Sequence, residues 1–128
     1  MKAVFIREFG GPEVLEIRDV REPAKPDGRQ VLVKVIAAGV NRADLIQRKG
    51  AYPPPPGYSP FIPGLEFAGV AEEIGDECST VKPGMRVCGI TAGEAQAEFL
   101  LIDERLLIET PERLSDIEAA AMPETFIT

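Results

Sequence analysis

The sequence predicts a small, mainly β domain: an antiparallel barrel or sandwich carrying little helix. Two observations point there. About seven short runs rich in β-branched and aromatic residues are punctuated by Gly- and Pro-containing turns. The chain, 128 residues long and without internal repeats, has the size of one domain able to bury a core.

Ala3-Val4-Phe5-Ile6 is the core of a first strand, stopped by Gly10-Gly11-Pro12. Val14 to Val20 is a second, predicted to pair antiparallel with the first. Glu22 to Gly28 holds two prolines and an Asp-Gly, so it is a loop. Gln30 to Val40 carries the strongest strand signal, with Val31, Val33 and Val35 alternating with Leu32, Lys34 and Ile36. Asn41 to Lys49 then reads as a short helix opened by Asn41 or Arg42. Asp44 lies in its first turn, Arg48 and Lys49 near its end, and Gly50 just beyond.

Residues 51–64 contain six prolines and two glycines, which demands an irregular loop. Phe67 to Ile74, Met85 to Thr91, Ala97 to Ile102 and Leu106 to Ile108 are further strands. Lys82-Pro83-Gly84 is a turn with Pro second and Gly third. Ser115 and Glu118 have capping-box spacing and open a final helix through Ala119-Ala120-Ala121, which Pro123 breaks or bends.

Composition excludes several function classes. The net charge is −7 and the basic residues form no stripe, which argues against nucleic-acid binding. There is no histidine, so the commonest general base and metal ligand are missing. Two cysteines, Cys78 and Cys88, and no histidine cannot make a four-ligand zinc site from Cys and His alone. They are read as structural, a disulfide being unusual in a reducing compartment. No apolar run approaches the ~20 residues that span a bilayer, and MKAVFIREFGG is no signal peptide, so the expected compartment is the cytoplasm.

Five segments, in order along nearly the whole chain, carry a family resemblance: Phe9-Gly10-Gly11-Pro12-Glu13-Val14-Leu15; Ala38 to Leu45 with Gln47, Gly50 and Tyr52; Pro63 to Val70; Val81 to Val87; and Ala95 to Phe99. Together they resemble the medium-chain dehydrogenase/reductase superfamily, and within it the zinc-independent NADPH:quinone oxidoreductases. The resemblance implies a GroES-like, partly open β-barrel with short helices that lines the substrate side of a cleft. In such enzymes a Rossmann domain follows and binds NADPH. No G-x-G-x-x-G follows a strand here. The expectation is therefore a substrate-side domain over residues 1–114, with 115–128 starting the linker helix to a Rossmann domain outside the chain. The isolated chain is expected to be inactive.

Departures from the zinc-dependent branch follow the same positions. Where zinc alcohol dehydrogenases carry a Cys ligand this chain has Asn41, and Gly64-Leu65-Glu66 stands for their Gly-His-Glu. Ala43 replaces their proton-relay hydroxyl, and the four-cysteine lobe is missing. The resemblance thus implies hydride transfer from NADPH to a quinone or α,β-unsaturated carbonyl without zinc. It implies Asn41 and Tyr52 as catalytic residues and Asn41, Tyr52 and Glu66 as substrate contacts. Asn41, Arg42, Asp44 and Thr128 are the expected cofactor contacts. Three of these have a plainer reading: Asn41 as helix cap, Tyr52 as a surface ring on Pro53 and Pro54, and Arg42 as a solvated helix-start charge. Alternatives for the chain are an enoyl thioester reductase domain or a non-enzymatic GroES-like binding module. The full-length protein is expected to be a homodimer, with no nucleic-acid or membrane partner.

Overall fold

The computed structural model describes residues 1–128. Its strands are β1 (Lys2–Ile6), β2 (Leu15–Asp19), β3 (Gln30–Ala38), β4 (Glu66–Ile74), β5 (Arg86–Ile90), β6 (Phe99–Asp103) and β7 (Leu107–Glu109). Three short helices accompany them: α1 (Arg42–Arg48), α2 (Asp116–Ala120) and α3 (Pro123–Ile127). No helix is long and apolar enough to cross a membrane.

β1 and β2 form a two-stranded ribbon, and the other strands an all-antiparallel sheet in the order β6-β3-β4-β5-β7. The two edge strands do not pair, so the mainly β, GroES-like architecture is an open barrel. Register shifts between Leu32 and Val33 and between Val35 and Ala37 bend β3 against β4. The ribbon docks through Val4 N–H on the Gln96 carbonyl and Glu98 N–H on the Lys2 carbonyl.

Alternation along β4 places Phe67 and Ala68 on opposite faces, and both are buried. Phe67 joins Val31, Val33, Val87, Leu100 and Ile102 inside the curl of the sheet. Ala68 packs on the other face with Cys88, Ala119 and Ala120, beneath α2. Arg86 clamps that helix: its guanidinium donates to Asp116 Oδ1 at 2.8 Å and to the Leu114 carbonyl at 2.7 Å. β4 therefore reads as a near-continuous apolar run because it is covered on both sides.

The structure trims several predicted spans. Pro12–Val14 is a 3₁₀ turn, so β2 starts at Leu15. Ala97 makes a single bridge to Ala3 in place of joining β6, which begins at Phe99. Glu104–Leu106 is another 3₁₀ turn, because Glu104 points inward to accept N–H bonds from Ser79 and Thr80, each at 2.9 Å. The predicted final helix is two helices, with Pro123 as first residue of the second. The Ser115–Glu118 capping box is formed, Ser115 N–H donating to Glu118 Oε2 at 2.9 Å and Glu118 N–H to Ser115 Oγ at 3.2 Å. Ala119 and Ala120 are the buried residues of α2, and the exposed apolar side chains on α2 and α3 are Ile117, Phe126 and Ile127. Both cysteines are free.

Candidate functional site

At the end of β3 the chain leaves the sheet and Asn41 caps α1 in an extended conformation. Its backbone N–H donates to Asp44 Oδ2 at 2.7 Å. Asp44 Oδ1 accepts the Gly64 N–H at 2.8 Å. One carboxylate, 5% exposed, thus ties the helix start to the segment leading into β4. Burial raises the Asp44 carboxyl above its usual range, opposed by these two N–H donors.

The Asn41 side-chain amide donates to Glu66 Oε1 at 2.8 Å. Glu66 opens β4 and is 3% exposed. Its other oxygen accepts the backbone N–H of Glu124 at 2.9 Å. A carboxylate only accepts hydrogen bonds, so the amide nitrogen must face Glu66 and the orientation of Asn41 is set. Two glycines make room. A Cβ at Gly39 would run into the Glu66 carboxyl. Gly64 has φ +111°, and a Cβ there would meet the Gln96 backbone nitrogen and the Ala95 side chain.

Glu124 lies on α3. Its carboxyl is raised by burial first, then by the charges of Glu66 and Asp44. It lines a cavity of 330 Å³ together with Tyr52, Pro53, Leu65, Thr91 and Thr128. The loop that carries Tyr52 is anchored: Gln47 donates to the Pro60 carbonyl at 3.2 Å, Ser59 N–H to Glu94 at 2.7 Å, and Phe61 stacks between Phe5 and Phe9. Thr91 Oγ1 donates to the Gly93 carbonyl at 3.0 Å. The Thr128 hydroxyl is bonded to the Glu124 carbonyl.

Of the residues singled out from sequence, Asn41, Asp44 and Glu66 are joined by hydrogen bonds. Tyr52 and Thr128 meet at the cavity, and Glu124 links the two groups through Glu66. Arg42 stands apart, exposed on α1 and in none of the ion pairs. Asp44 is buried, forms no ion pair with Arg42, and anchors the helix start to Gly64. Sequence reasoning missed Glu124, Leu65 and Thr91. Pro123 signals a helix start beside Glu124, but nothing local says that β4 lies beneath it. A more voluminous hollow of 420 Å³, lined by Ile17, Ile36 and Ala97 among others, holds none of the predicted residues. It is an open apolar groove between the ribbon and β3.

A two-stranded ribbon, an open five-stranded antiparallel sheet and a helix springing from the end of β3 define a GroES-like domain of the medium-chain dehydrogenase/reductase type. Residues 27–112 match the model of the alcohol dehydrogenase GroES-like domain, and the chain belongs to that family. Over its whole length it is 41% identical to the quinone oxidoreductase of Mus musculus, of which it covers 39%. Among solved structures, the quinone oxidoreductase of Pseudomonas syringae pv. Tomato DC3000 superimposes with a TM-score of 0.84 at 37% identity, covering 95% of this chain and 37% of that one. The Escherichia coli quinone oxidoreductase complexed with NADPH gives a TM-score of 0.81 at 30% identity, covering 95% of this chain and 37% of that one. The chain thus spans about two fifths of the curated relatives it matches.

Proposed function

We propose that this chain is the substrate-side domain, residues 1–114 with the start of a linker helix at 115–128, of an NADPH-dependent quinone oxidoreductase that works without zinc. The observation that carries the reading is the anchored amide of Asn41, linked through Glu66 to the cavity that Tyr52 overhangs, in a chain whose relatives bear the name quinone oxidoreductase.

A quinone is already an electrophile and needs no Lewis acid to accept a hydride. NADPH, when bound, supplies that hydride. What remains for the protein is to orient the ring, exclude water and stabilise negative charge growing on the quinone oxygen. Asn41 has two amide N–H donors. Glu66 takes one, which leaves the second for the oxygen. Tyr52 offers an aromatic face on which a flat ring stacks and a hydroxyl that donates. Leu65 and the prolines provide apolar walls.

The residues available suit the cofactor unevenly. Arg42, exposed and without an ion pair, presents a guanidinium fork suited to a phosphate. Thr128 lines the cavity beside Glu124, and we assign it to the nicotinamide end. Asp44 spends both oxygens on backbone N–H groups and serves by holding Asn41. The main cradle for the dinucleotide is assigned to a separate domain. Zinc does not suit the donor set. Asn41 and Leu65 occupy the ligand positions of the zinc-dependent branch. Cys78 lies against the Gly28 and Gln30 carbonyls and Cys88 under α2, and no three candidate ligands converge.

The test is NADPH oxidation by the protein that carries this chain, followed with 1,4-benzoquinone and 1,4-naphthoquinone after metal chelation. Quinone-dependent oxidation that survives chelation is the expected result. No oxidation with either quinone overturns the reading.

A further inference from the structure

We propose that Glu124, backed by Glu66 and Asp44, makes the Tyr52 cavity selective for uncharged acceptors and hostile to anionic ones. This rests on the quinone-reductase reading and narrows its substrate class.

The cavity supplies the geometry. Its walls are Tyr52, prolines, Leu65, Ile90, Thr91 and Ala92, and its charged lining residue is Glu124; no lysine or arginine is among them. The Glu124 side chain takes part in no ion pair and no hydrogen bond within the chain, whereas its backbone N–H is held by Glu66 Oε2 at 2.9 Å. That contact brings a second carboxylate up to the base of the first, and Asp44 is a third close enough to act on Glu124. The Asn41 amide and the backbone N–H groups of Asn41, Gly64 and Glu124 satisfy Glu66 and Asp44 without cancelling their charge. Burial, then the charges of Glu66 and Asp44, hold the Glu124 carboxyl above its usual range, the mark of a group surrounded by like charge. A neutral quinone brings no charge to these carboxylates and packs against the apolar wall. A sulfonate or carboxylate on the ring brings like charge against Glu124 with no lysine or arginine of this domain in the cavity wall to receive it.

The experiment compares 1,4-naphthoquinone with its 2-sulfonate in the protein that carries this chain, as wild type, Glu124→Gln and Glu124→Lys. The ratio of kcat/KM for sulfonate over parent quinone is expected to rise about tenfold in Glu124→Gln and further in Glu124→Lys. The Glu124→Gln gain should shrink as salt is added. Glu124 accepts no hydrogen bond through its side chain, so Glu124→Gln leaves the fold's bonds intact. If wild type reduces 1,4-naphthoquinone and the ratio is the same in all three proteins, the inference is overturned and the function stands. If wild type reduces neither quinone, the function reading fails, and equilibrium binding decides the selectivity separately. Equal dissociation constants for the two compounds in wild type overturn it; weaker sulfonate binding that Glu124→Gln relieves supports it.

Discussion

The amide of Asn41 and the carboxylate of Glu66 meet at 2.8 Å, joining the cap of α1 to the first residue of β4. This bond fixes the orientation of the amide. Asn41→Ala should lower kcat/KM for quinone reduction by about 10–100-fold, mostly in kcat, because it removes a donor to the developing oxyanion. Steady-state kinetics at several quinone concentrations check this, and an unchanged kcat removes Asn41 from the reaction.

Glu66→Ala strands two donors, the Asn41 amide and the Glu124 N–H. A loss of about 1–3 kcal/mol in urea unfolding is expected. Glu66→Gln keeps one acceptor and should recover part of it. Equal stability of both variants to wild type would show that the bridge carries no energy.

Tyr52 is about half exposed at the mouth of the cavity, so its ring does little for the fold. Tyr52→Phe tests the hydroxyl and Tyr52→Ala the stacking face. The expected pattern is a drop in kcat/KM of roughly 3–10-fold for Phe and a larger rise in KM for Ala. Thermal melts should place both variants close to wild type.

Gly64 sits at φ +111° with the Gln96 backbone against the place of a Cβ. Gly64→Ala should destabilise by at least ~2 kcal/mol, since both the backbone angle and the space oppose a side chain. A chemical denaturation midpoint equal to wild type would contradict this.

Glu104 is held by N–H groups of Ser79, Thr80 and Val81, the Thr80 hydroxyl and Arg29. The Thr80 backbone N–H and hydroxyl lead in pulling its carboxyl down to about 2 from 4.5. A folded-state value below the unfolded one gives stability that is present above pH 4.5 and lost as pH falls toward 2. Glu104→Gln should therefore lower Tm at pH 7, by roughly 5 °C or more, and flatten the acid side of the Tm profile. Asp44 and Glu124 act with the opposite sign: their raised carboxyls cost stability as pH rises through their titration, so neither contributes to acid unfolding.

Much of the fold was legible along the chain. The Val31-Val33-Val35 alternation marks β3, the Ser115–Glu118 spacing marks the cap of α2, and Pro123 marks the break before α3. Misplaced boundaries fall where a distant partner overrides local pattern. Ala97 follows β1 because Ala3 is across from it, and Glu104 leaves the strand because the 79–81 backbone offers it donors.

Local residue chemistry by itself determined the mainly β class, the Pro-rich loop, the helix after β3 and a donor set poor in metal ligands. These depend on backbone torsions, period-two patterning and side-chain type, which each residue carries with it. Only the tertiary structure decided which of the candidate residues meet. Asn41 and Glu66 are 25 positions apart, and Glu66 and Glu124 are 58 apart. Bringing them together requires the first residue of β4 to lie between the cap of α1 and the start of α3. A hydrogen bond and a like-charge neighbour are properties of proximity in space, which no local pattern records.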